Sequence, residues 1–176
     1  LSYQLENEAL NRSFGLNGDF NRQRLRHELK LVRQLDPTRP IIMSTSNTWG
    51  LPIRSPRPDL FGFTFYQVQF ENGAYSRTKL PVWWWNIRAK IIKCTSGRQS
   101  FVHELQAEPW GPKAIWEMST KEQDKSASVG QLKENLRFAT KTNLYPIDLW
   151  GGEWWYWRYK NGDSSIYEAI KSSLTD

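Results

Sequence analysis

Cysteine is nearly absent from this 176-residue chain, and so is histidine: Cys94 stands alone, and His27 and His103 are the only imidazoles. One cysteine excludes an intrachain disulfide, and two histidines with one thiol are too few for a His- or Cys-based metal centre. No metal and no cofactor is therefore expected. Runs of about 18 apolar residues are missing too, which argues against a membrane-spanning helix. The N-terminus lacks a basic stretch followed by an apolar block, so no export signal is visible. A Gly-rich phosphate loop does not follow the first apolar segment, which removes the main support for a nucleotide-binding sheet. The net charge of +6 comes without a dense Lys/Arg block, since acidic residues are interspersed. That pattern reads as solvated helix faces rather than a nucleic-acid surface.

Aromatics are abundant, with ten Trp, seven Tyr and eight Phe. Such density supplies a large core, a sugar-stacking cleft, or both. The length suits one domain over residues 1–176. Alternation of apolar runs and 3.6-period segments gives a repeated βα pattern. Strands are expected at 3–8, 40–46, 60–66, 100–107 and 145–150. Helices are expected from Phe20 to Leu35 with Asp19 as N-cap, after Pro81 from Val82 to Lys93 with Trp84, Ile87 and Ile91 on one stripe, and after Ser128, whose spacing to Gln131 is a capping box. A second box, Ser165 with Glu168, opens a last helix bearing Ile166, Ile170 and Leu174. This alternation predicts an α/β fold with a parallel sheet, of the kind found in part of a (β/α) barrel.

Polar and aromatic residues gather after each strand rather than before it, as on the catalytic face of a barrel. The first strand leads to Asn7-Glu8 and the fourth carries Glu104. Two strand-borne carboxylates suit cleavage of a glycosidic bond. Glu108 is a rival to Glu104, although Pro109 places it beyond the strand. Side chains alternate along a flat strand, so Asn7 and Glu8 can share a cleft only where the strand is bulged or twisted. Trp154, Trp155 and Trp157 offer flat faces to sugar rings, and Glu153 could take sugar hydroxyls. Glu6 is expected in a salt bridge or in solvent.

With these residues in place, the chain resembles the C-terminal five-eighths of a clan A glycoside hydrolase, a group of retaining (β/α)8-barrel enzymes. The resemblance implies that the five strands correspond to strands four to eight. It makes Asn7-Glu8 the strand-four pair, with Glu8 as acid/base and Asn7 on the sugar 2-hydroxyl, and Glu104 the strand-seven nucleophile. Tyr66 falls where a tyrosine hydrogen-bonds the nucleophile, and Trp150 where a tryptophan floors the sugar subsite. A full barrel needs about 250 residues, so the expected protein is a truncated barrel: a β-glycosidase of low activity, or a carbohydrate-binding or structural half-barrel without turnover. Its partners would be a carbohydrate and, through the two open sheet edges, a second copy of itself.

Overall fold

The computed structural model describes residues 2–8, 11, 21–52 and 56–174. Its elements in chain order are β1 (Tyr3–Gln4), α1 (Arg22–Leu35), β2 (Ile41–Thr45), β3 (Leu60–Phe65), β4 (Val68–Glu71), β5 (Ala74–Arg77), α2 (Val82–Ser96), β6 (Gln99–Gln106), a 3-10 turn (Ile115–Glu117), α3 (Thr120–Ala127), α4 (Val129–Thr140), β7 (Ile147–Trp150), α5 (Gly152–Lys160) and α6 (Ser165–Ser173). Five parallel strands form one sheet in the order β1-β2-β3-β6-β7, an α/β partial barrel-like fold. The chain forms two compact units: Leu1–Thr64 with Leu80–His103 and Thr142–Ile147, and Phe65–Lys79 with Glu104–Lys141 and Asp148–Asp176.

In the first unit β2 is buried at all five positions. Burial on both faces explains why its sequence, Ile-Ile-Met-Ser-Thr, starts as an apolar run instead of alternating. It pairs with β1 at Tyr3↔Ile41 and with β3 from Ile42↔Leu60 to Thr45↔Phe63. Helix α1 covers this sheet with Leu25, Leu29 and Val32, which pack on Leu5, Ile41 and Met43. Asn21 caps the helix by accepting from the N–H groups of Gln23 and Arg24. The expected cap, Asp19, lies outside the described residues. Asp59 fixes the start of β2 by accepting the Ile41 N–H at 2.8 Å and an Arg33 N–H at 2.7 Å.

Helix α2 departs from its expected phase. Its buried face carries Trp85, Arg88 and Ile92, not Trp84, Ile87 and Ile91. Three successive tryptophans leave the phase open, and the ring that fits the sheet is Trp85, fully buried 5.3 Å from Phe63. The helix stops at Gly97, whose φ of 73° is left-handed.

In the second unit β4 and β5 form an antiparallel hairpin that the sequence reading passed over. Asn72 and Gly73 turn it with φ of 52° and 81°, the left-handed pair that an Asn-Gly hairpin turn needs. Helices α4, α5 and α6 close over Ala107 and Ala127 with Leu132, Trp154, Ile166 and Ile170. Ser128 caps α4 by accepting the Gln131 N–H, as the spacing predicts, but the Gln131 amide turns away to Asn135. Ser165 does not cap α6. Asp163 accepts its N–H instead, at 3.0 Å, because a carboxylate two residues upstream reaches the free donor first.

Two further expectations change. The first strand is two residues long, not six, and among the described residues no helix joins β2 to β3, so the βα repeat is interrupted there. Conversely, the segment after β7 is helical from Gly152.

Candidate functional site

After Gln4 the chain leaves the sheet through one last bond, from the Leu5 N–H to the Ile42 carbonyl at 2.9 Å. Glu6 and Glu8 then adopt left-handed φ of 55° and 44°. For non-glycine residues that conformation is uncommon and stores strain where function can use it. The turn sends neighbouring side chains to different environments. Asn7 is exposed, with its carbonyl oxygen 3.3 Å from the Gln4 amide. Glu8 is buried, 5% exposed. Glu6 pairs with Arg24 on the surface through both oxygens, at 3.1 Å each.

Hydroxyls from β2 and its end hold Glu8. Ser44 Oγ accepts the Glu8 N–H at 2.8 Å, and Ser46 Oγ donates to Glu8 Oε2 at 2.9 Å. The Asn11 amide reaches the same oxygen at 3.4 Å. Arg88, on the buried face of α2, supplies positive charge. Its Nη1 donates to the carbonyls of Ser46 (3.0 Å) and Thr48 (3.4 Å). The guanidinium lies 5.0 Å from the Phe63 ring centroid and 5.2 Å from that of Trp85. Burial pushes its pKa down to about 10, and the Glu8 charge opposes that shift. Sequence reading missed Arg88; the signal available was a cation on an otherwise apolar helix stripe.

The remaining candidates belong to the second unit. Glu104 is 6% exposed and lies inside β6, two residues before its end. Strand alternation places it on the same face as Gln106, while Leu105 and Ala107 take the other. Ala107 and Leu149 both pack into the helix-side cluster. Glu104 and Gln106 from β6, with Asp148 and Trp150 from β7, thus belong to the face turned from those helices. Glu108 continues the series past the strand end. Trp150 is 49% exposed, and its indole N–H donates to Glu108 Oε1 at 3.0 Å. Burial raises the Glu108 pKa, the Trp150 bond works against that, and the nearby Glu153 charge adds to it.

Tyr66 is buried and meets Trp110 edge-on, with ring centroids 5.3 Å apart. Glu153 is exposed on the first turn of α5. Trp154 lies in the core, 4% exposed, donating to Gln123 Oε1 at 3.0 Å with Arg158 over its ring. Trp155 is tied to the Ala107 carbonyl at 2.6 Å, and Trp157 is 40% exposed. The structure therefore brings Trp150, Glu108 and Glu153 together in one unit, and Glu8, Ser46 and Arg88 in the other. Among the described residues no three His, Cys, Asp or Glu side chains gather to hold a metal, and no helix is long and apolar enough to cross a membrane.

No protein-family model matches the chain, and no curated protein does. Solved structures do. A GH2 beta-galacturonidase from Eisenbergiella tayi, bound to glycerol, superposes over 88% of this chain with a TM-score of 0.50 and 14% identity. An FMN-binding beta-glucuronidase from Facaelibacterium prausnitzii L2-6 covers 86% with a TM-score of 0.48 and 15% identity. The chain spans 30% of the first protein's length and 22% of the second's. At this identity the likeness is one of fold alone: the chain shares its fold with part of the GH2 beta-galacturonidase.

Proposed function

We propose that the chain is the portion of a clan A-type retaining glycoside hydrolase barrel running from strand four to strand eight, and that it acts on β-glycosidic bonds. In this reading the Glu104 carboxylate attacks the anomeric carbon as the glycosidic C–O bond breaks. Glu8 gives its proton to the departing oxygen. Water, deprotonated by Glu8, then displaces Glu104 from the glycosyl ester. Asn7 addresses the 2-hydroxyl, Tyr66 orients Glu104, and Trp150 with Glu153 lines the sugar subsite. Trp154 would act from beneath, through the core that carries α5.

The observation that carries the reading is Glu8. It is a buried carboxylate just past a strand end, held by a serine hydroxyl and an asparagine amide, with a buried guanidinium supplying charge. Buried acids with polar partners at strand ends of α/β proteins are where chemistry is placed. Hydrolysis of an aryl β-glycoside tests it. Glu8→Gln should reduce turnover about 10²–10⁴-fold, the usual range for losing a positioned proton-transfer group, and Glu104→Gln, which removes the nucleophile, should abolish the double displacement. Unchanged turnover in either variant removes that residue from the mechanism.

A second reading, a carbohydrate-binding remnant without turnover, is favoured by the exposed rings of Trp49, Trp83 and Trp157. Sugar-dependent quenching of tryptophan fluorescence with no released aglycone would select it. The outermost strands in the sheet order, β1 and β7, are also proposed to pair with a second copy. A dilute-solution mass equal to one chain would end that proposal.

A further inference from the structure

Beside Glu8 the first unit holds a cavity of about 130 Å³, lined in part by Thr45, Ser46, Thr48 and Arg88. Its size is close to the roughly 150 Å³ in which a single six-membered ring fits. Arg88 is 2% exposed, and its Nε–H has no hydrogen-bond partner among the described residues. A buried guanidinium with an unmet donor is costly unless an acceptor completes it. Carboxylates match its planar fork better than any neutral group.

The same loop builds an aromatic surface. Trp49 packs on Trp84 at 5.1 Å and on Trp83 at 6.4 Å between centroids. Trp49 and Trp83 remain 56% and 57% exposed. The Thr48 carbonyl joins the two features: it accepts from Arg88 Nη1 at 3.4 Å and from the Trp84 indole at 3.5 Å. Flat exposed rings beside a polar cavity suit a ligand with one CH-rich face and one charged arm.

We propose that Trp49, Trp83 and the Arg88 cavity form a binding site for a carboxylate-bearing sugar, with the pyranose ring on the tryptophans and its carboxylate on Arg88 and the Thr48 hydroxyl, which accepts the Gly50 N–H and keeps its own proton to donate. The site deepens the glycosidase reading by naming an acidic sugar as ligand. It is tested by binding alone, so the two fail separately.

The experiment titrates the chain with methyl β-D-glucuronide, methyl β-D-glucoside and sodium acetate, followed by tryptophan fluorescence and calorimetry. The glucuronide should bind at least about tenfold tighter than the glucoside, the scale of a charged hydrogen bond. Acetate at equal concentration should not displace it. Arg88→Gln should erase the preference, and Trp49→Ala should weaken both glycosides. If circular dichroism shows Arg88→Gln misfolded, Thr48→Val decides, with a severalfold loss for the glucuronide expected. Equal binding of both glycosides overturns the proposal. So does a preference that survives both the Arg88 and Thr48 variants, or acetate binding as tightly as the glucuronide, which marks an adventitious ion only. Acid-selective binding without turnover would end the hydrolytic reading and leave this site standing; turnover without acid selectivity would do the reverse.

Discussion

The side-chain amide of Gln106 takes the place of a strand partner for Val68. Its Oε1 accepts the N–H groups of Gln67 and Val68 at 2.8 and 2.9 Å, and its Nε2 donates to the Val68 carbonyl at 2.6 Å. Gln106 is fully buried, and its own carbonyl accepts the Asn135 amide at 2.8 Å. The connection from β3 into the hairpin, which carries Tyr66, is thus set by one residue of β6. Gln106→Leu strands two buried N–H donors and should lower stability by about 2–4 kcal/mol, the cost of leaving such groups unsatisfied. Urea denaturation measures it. Gln106→Glu keeps the acceptors but sets a buried carboxylate oxygen against the Val68 carbonyl, so its loss should be no smaller.

Glu108 gives a pH-dependent prediction. Its native pKa lies above the ordinary 4.5 because of burial. Between these values the folded chain holds a proton that the unfolded chain has released. Stability therefore falls as pH rises through this window. Glu108→Gln keeps an acceptor for the Trp150 indole and removes the ionisation. The variant's melting temperature should exceed that of the parent at pH 7, with the gap closing below about pH 4.5. Because Glu108 is not the proposed nucleophile, the same variant should retain glycoside turnover. Loss of turnover equal to that of Glu104→Gln would transfer the role to Glu108.

Tyr75 should titrate late. Its hydroxyl donates to Glu122 Oε1 at 2.8 Å, and burial together with that carboxylate pushes its pKa up to about 12. Folding thus favours the neutral phenol, and this contribution is complete below about pH 10 and lost as pH climbs toward 12. In an alkaline absorbance titration the Tyr75 phenol should lag the ordinary value near 10. Tyr75→Phe should abolish the lag.

At the acid end, the Ser165 and Arg158 hydrogen bonds hold the Asp163 pKa down at about 2. Arg158 is buried, 4% exposed, and it also donates to Asp124 at 2.6 Å. The stabilisation from Asp163 is present above the ordinary value of 3.8 and is lost as pH falls toward 2. Asp163→Asn should flatten the dependence of the melting temperature over that range. A profile identical to the parent's would show that the pair contributes nothing.

These elements differ in how visibly the sequence announced them. β2 and β3 open on apolar residues and are buried almost throughout because parallel strands are covered on both faces, and α1 shows its Leu25, Leu29, Val32 spacing plainly. The hairpin was readable as well, since Asn72-Gly73 between alternating residues is a strong local turn signal. Other features depend on tertiary packing. Nothing local tells that the first strand ends at Gln4, since the left-handed Glu6 and Glu8 are sustained by Arg24 and Ser44 from distant segments. The phase of α2 was decided by which tryptophan fits against Phe63. Arg88 became buried as a result, so the same error in phase hid the strongest cation of the candidate site. Trp154 illustrates the converse: an aromatic beside a strand end, read as a sugar platform, is enclosed by Gln123 and Arg158.

The two compact units are interleaved in the chain: β3, β6 and β7 each begin in one and finish in the other. Neither can be cut out as an unbroken stretch of polypeptide. A protease that nicks the Asn72-Gly73 turn would leave fragments that each contribute to both units. Such a nicked chain should co-migrate as one particle until denaturant is added, and neither half should be obtainable by expressing a simple truncation.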